Sequence, residues 1–133
     1  MSTVPPELNW VEKRAACSVR QVFNELVLGI DNDVAALNQI PDQIRVAAQM
    51  LSDNSTLVVA QINVPAMVRV KIGIVGDRIE TSREVGREGL SARVTLNNIG
   101  RCMLVLDDGT ELEQWQFRKM ALEGLFFGEK RQP

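Results

Sequence analysis

An α+β domain in which helices cover one face of a curved antiparallel sheet is the fold this sequence predicts. Three observations carry it. Apolar residues recur at helical spacing near the N-terminus, a long middle region alternates apolar and polar residues between turn signals, and a helical pattern returns near the C-terminus. The 133 residues fit one domain, since a chain of this size buries roughly two-thirds of its unfolded surface. No repeat or low-complexity tract divides it. The expected limits are a loose lead-in over 1–8 with Pro5 and Pro6, a domain over 9–128, and a frayed tail over 129–133.

The first helix rests on Val19, Val22, Phe23, Leu26, Ile30, Val34 and Leu37, which form one wide apolar face. Two start signals compete, Asn9 with Glu12 and Ser18 with Gln21. Helix is therefore expected over 19–38, with 10–16 as its first turns or as a separate piece. Gly29 costs about 1 kcal/mol against Ala inside a helix, so its presence points to close packing. Pro41 closes the segment.

Residues 44–51 fit a helix through Ile44, Ala47, Ala48 and Leu51, and a strand through Ile44, Val46, Ala48 and Met50. The turn-rich stretch 52–55 and the β-branched run that follows to Ile62 favour a hairpin. Over 67–75, Val68, Val70, Ile72 and Ile74 point one way, and Arg69 and Lys71 the other. Gly76-Asp77 turns the chain into 78–83. Leu90, Ala92, Val94 and Leu96 alternate again, and a turn at 97–100 leads to a strand over 101–106. The result is a meander of about six to seven strands. After Asp107-Asp108-Gly109 a further hairpin competes with a helix. Thr110 with Glu113 makes a capping box, and Leu112, Trp115, Leu122 and Phe126 suit one helical face. A helix over 110–127, stopped by Gly128, is the expectation.

Composition limits the chemistry. The chain has no His and no Tyr, so His-based triads, general bases and metal ligands are excluded within it. A net charge of −2 and a pI of about 5.2 argue against holding polyanions by bulk attraction. Cys17 and Cys102 are the only pair able to form a disulfide, but each falls in an apolar pattern and reads as a small buried hydrophobe. Met1–Trp10 lacks the pattern of a signal peptide, and runs such as 57–60 are far too short to span a membrane. A soluble, cytoplasmic, reduced protein is expected, with no membrane partner, metal or cofactor.

Arg69, Lys71, Arg78, Arg87 and Arg93, with Arg83 and Arg101, are the most suggestive charged group. On one sheet face they could hold phosphate or carboxylate by forked hydrogen bonds. Asp77, Glu80, Glu84 and Glu88 are interleaved with them, and alternating signs describe pairing across strands better than a patch. Anion or nucleic-acid binding through strands 69–101 is therefore the alternative reading, with nucleic acid not the expected partner. Gly86-Arg87-Glu88-Gly89 resembles the G-x-x-G loop of K-homology RNA-binding domains, which joins two helices. Its flanks here lack helical patterns, so it reads as a hairpin loop.

An enzyme would have to use carboxylates, Arg, Cys, Lys, Ser or Thr, and a carboxylate-based enzyme near Asp107 is the alternative of that class. Asp107 and Asp108 are adjacent near Glu111 and Glu113, but neighbours on a strand point apart. Asp31 and Asp33 do not face each other on a helix. Neither pair has the spacing of a Ca²⁺ loop. Cys17 lies at helical distance from Lys13 and Arg20, which would lower its pKa if it were exposed. No catalytic residue is assigned.

The expectation is a non-enzymatic binding or adaptor domain. A small apolar or amphipathic ligand would lie between helix and sheet against Val68, Val70, Ile72, Leu90 and Leu104. Trp115, Leu122, Leu125, Phe126 and Phe127 carry more apolar surface than one helix face can bury, so they form the expected interface with a partner. A second copy of the chain is the simplest partner.

Overall fold

The computed structural model describes residues 10–62, 64, 68–83 and 89–127. The lead-in over 1–8, Gly128, the tail over 129–133, and Gly86, Arg87 and Glu88 of the glycine loop lie outside the described residues.

The chain makes two helices, and Asn9 of the first start signal lies outside the described residues. Helix α1 runs Trp10–Ala16 and α2 runs Val19–Asn38. The Ser18 hydroxyl accepts the backbone N–H of Gln21 at 3.1 Å and caps α2. The expected face of α2 is the buried one: Val22, Phe23, Leu26, Ile30 and Leu37 are each at most 2% exposed. None of the residues of α1 is buried. Its tether is covalent, since Cys17 in the α1–α2 corner is bonded to Cys102. This corrects the reading of the two cysteines as free thiols. They are 85 residues apart, yet alternation places Cys102 on the same sheet face as Leu104, toward the helices.

Seven strands follow in chain order: β1 (Arg45–Met50), β2 (Thr56–Ile62), β3 (Arg69–Val75), β4 (Arg78–Arg83), β5 (Ser91–Leu96), β6 (Cys102–Leu106) and β7 (Glu111–Leu112). They form one antiparallel sheet in the order β1 to β7, a simple meander that does not close. The register puts Val46, Leu57, Val59, Val70, Ile72, Ile79, Ala92 and Leu104 on the covered face, all buried. The opposite face carries rows such as Gln49–Val58–Lys71–Ser82 and Val75–Arg78–Arg93–Val105. Edge strand β1 has an unusual guard. Asn38, at the end of α2, donates its Nδ2 to the carbonyl of Val46 at 2.9 Å and accepts the Val46 N–H at 3.0 Å. The amide thus occupies backbone groups that would otherwise invite another strand.

Helix α3 spans Gln114–Phe127, so the expected start at 110 is four residues early. Asp108 accepts the N–H of Thr110 at 2.9 Å and is also hydrogen-bonded by the Thr110 side chain, the group an N-cap would use, and β7 forms. The helix begins instead with the Glu113 N–H donating to Oε1 of Gln116 at 2.8 Å, the backward half of a capping box. Both competing readings of 107–127 are therefore partly realised. Phe117, Ala121, Leu122, Leu125 and Phe126 of α3 are buried, and Gln61 Nε2 donates to the Leu125 carbonyl at 3.0 Å, fixing the helix to β2.

Candidate functional site

The residues expected to hold a ligand between helix and sheet lie in the core or packed against it. Val70, Ile72 and Leu104 are 0–1% exposed and belong to the same core as Phe23, Leu26 and Phe117; Val68 and Leu90 are half-buried at its margin. Among the described residues no buried side-chain nitrogen or oxygen lacks a hydrogen-bond partner, so no orphaned polar atom points to an occupant there.

The apolar concavity lies elsewhere, between α2 and α3. The two helices run side by side in the same direction. Gln114, at the start of α3, donates to Glu25 at 2.6 Å, and Arg118, one turn further along α3, donates Nε at 2.8 Å to Asp33, about two turns further along α2. Gly29 explains itself at this point. A Cβ there would lie 2.4 Å from the Arg118 guanidinium, so its absence lets Arg118 lie flat on α2 and reach Asp33. The expected close packing at Gly29 is this contact.

Beyond the Arg118–Asp33 pair the helices leave a groove of about 330 Å³. Leu37, Leu122 and Phe126 form its floor, while Ile40, Trp115 and Phe127 stand at its sides. Those three are 44%, 53% and 59% exposed, an unusual concentration of large apolar surface in one place. Lys119 and Glu123 line the outer rim and pair with each other at 3.1 Å. Every charge on the rim therefore has a neighbour of opposite sign.

The expected interface residues thus divide. Leu122, Leu125 and Phe126 face inward, and Trp115 and Phe127 face out. Sequence reasoning missed Asp33 and Ala36 of α2, Ile40 just past it, and Lys119 and Glu123 of α3. Ile40 was visible as an apolar residue just past the α2 face, and the 115–119–123–127 spacing as a helical row.

The cations do not gather into one patch. Arg69, Lys71, Ser82 and Arg83 line a shallow cleft of about 200 Å³, but the register puts Lys71 and Ser82 on the open face and Arg83, opposite Val70, on the other. Arg78 lies opposite Arg93, and it donates Nε to Ser91 Oγ at 2.7 Å and pairs with Asp107. Ser91 in turn donates to Glu80 at 3.1 Å. Arg101 pairs with Glu113 at 3.3 Å. Arg87 falls outside the described residues.

Asp107 and Asp108 have separate structural partners. Asp107 pairs with Arg78. The hydrogen bonds that Asp108 receives from Thr110, side chain first and then backbone, hold its carboxyl below the ordinary value of 3.8. A lowered carboxyl suits a turn, not a general acid.

Among the described residues no helix is long and apolar enough to cross a membrane. No protein-family model matches the chain, and neither the curated proteins nor the solved structures provide a match.

Proposed function

We propose that the chain is a homodimeric binding or adaptor domain whose working surface is the α2–α3 groove. The observation that carries this reading is the cluster of half-exposed Ile40, Trp115 and Phe127 around an apolar floor. The rest of the large apolar side chains on these helices are mostly inside, so the cluster is not a sign of a loose core. A groove of this size suits an inserted side chain or a small amphipathic ligand. Its balanced rim gives no preference for a charged one.

The cytoplasmic expectation joins the missing signal-peptide pattern to two cysteines read as reduced. The Cys17–Cys102 bond instead favours an oxidising compartment, where such bonds persist. Alkylating freshly lysed cells with a thiol-reactive mass tag tests this. Two tags on the chain would return it to the cytoplasm, and none would support the oxidised state.

Native mass spectrometry of gently purified full chain tests the function. The expected result is a dimer peak that collapses to monomer for Trp115→Ala. A strict monomer carrying no retained ligand would overturn the reading.

Anion binding is the second reading, and the Arg69–Lys71–Arg83 cleft favours it. It requires phosphate binding that weakens with added salt and with Lys71→Ala.

A further inference from the structure

The outward row of α3 is Trp115, Lys119, Glu123 and Phe127, each four residues after the last. All four are exposed, with Lys119 and Glu123 side chains 58% and 57% accessible. Their order is aromatic, cation, anion, aromatic. Turned end for end, that order presents an anion where there was a cation and an aromatic ring where there was an aromatic ring.

From this we infer that two copies pair through α3 in antiparallel fashion, about a two-fold axis passing near the level of Ala121. Lys119 of each copy then faces Glu123 of the other, and Trp115 of each faces Phe127 of the other. This rests on the homodimer reading above and gives it a geometry. Parallel pairing would set Lys119 against Lys119 and Glu123 against Glu123, so the charges select the antiparallel form. Rows at four-residue spacing pack against each other with helix axes crossing at about −50°.

The apolar area is adequate for the core of such a contact. Trp115 and Phe127, with Met120 on one flank and Ile40 on the other, leave on the order of 400 Å² of apolar surface exposed. That is about half of one side of a standard interface, the remainder coming from the polar rim. A second copy therefore fits the face better than a small neutral ligand, which would cover the groove and leave the Lys119–Glu123 pair facing solvent.

The test is a charge swap in the full chain, followed by light scattering. Lys119→Glu makes the row acid–acid, and Glu123→Lys makes it base–base. Each variant alone then meets its own like charges across the axis, and its dimer should weaken about tenfold. Mixed in equal amounts, the two should form a heterodimer at least as stable as the wild-type dimer. Neither variant regains the pair within its own helix on mixing, so rescue reports only contacts between copies. Far-UV circular dichroism confirms that each is folded. If wild-type chain dimerises while both variants dimerise equally well, or the mixture shows no rescue, the α3 register is wrong although the homodimer reading survives. Wild-type chain that stays monomeric overturns both.

Discussion

Helices α2 and α3 lie against the same sheet, yet they use their apolar residues differently. In α2, five core residues fall on one face and the opposite face is polar apart from the 65% exposed Leu28. In α3, five residues are buried and Trp115, Met120 and Phe127, all more than half exposed, remain outside. A helix with one apolar stripe has its partner within the domain. A helix with a second stripe has apolar surface that the domain does not cover. This difference is why function is placed on α3.

The sharpest way to break the comparison uses two phenylalanines of one helix. Phe117 is 1% exposed and Phe127 59%. Phe117→Ala should cost about 3–5 kcal/mol of unfolding free energy, because it opens a cavity in the core. Phe127→Ala should cost under about 1 kcal/mol in the monomer and show its effect in self-association. Urea denaturation at low protein concentration separates the two. Equal losses would mean that α3 has no second face.

The disulfide comes next in size. It ties α1, which buries nothing, to β6. Closing a loop of 85 residues restricts the unfolded chain by up to roughly 4 kcal/mol. Cys17→Ser with Cys102→Ser should lower the midpoint of thermal unfolding, and hydrogen exchange should show α1 losing protection before α2. If α1 kept its protection, the bond would not be its anchor.

Gly29 is a smaller test of how the helices meet. Alanine there gains helix propensity of about 1 kcal/mol but pushes the Arg118 guanidinium away from Asp33. Only the flexible end of a side chain must move, so Gly29→Ala should shift stability by no more than about 1 kcal/mol. Gly89 is the contrast. A Cβ there would lie 1.6 Å from the Thr81 carbonyl oxygen, and Gly89→Ala should be far more damaging because backbone must move.

The smallest effect concerns acid. A backbone hydrogen bond from Ser55 lowers the Asp53 carboxyl, as Thr110 lowers that of Asp108, each below 3.8. In the folded state these groups hold fewer protons than in the unfolded chain. Their contribution is fully present above about pH 4 and is lost as pH falls through the folded values. Carboxyl titration by NMR should find both midpoints below 3.8, and Thr110→Ala should return Asp108 toward it.

The fold was largely legible because it rests on local patterns. The spacing of Val22, Phe23, Leu26 and Ile30 marks α2, and alternation from Val70 to Ile74 marks β3. What was hidden depends on distant parts of the chain. Nothing near Cys17 points to Cys102, since only the meander brings them together. Thr110 and Glu113 imitate a cap in the sequence, but in the fold Asp108 engages both the side chain and the N–H of Thr110. The candidate site was half legible. Surplus apolar residues in α3 were countable, but the contribution of Ala36 in α2 and Ile40 just past it needed the angle between the helices. Val70, Ile72 and Leu104, the residues expected around a ligand, belong to the core.

The claim that α3's outer row is an interface is tested most directly by sedimentation of the full chain over a range of concentrations. The account predicts a species of twice 14.8 kDa that dissociates on dilution and is absent for Trp115→Ala. A 14.8 kDa species at every concentration, or a dimer indifferent to Trp115→Ala, would contradict it.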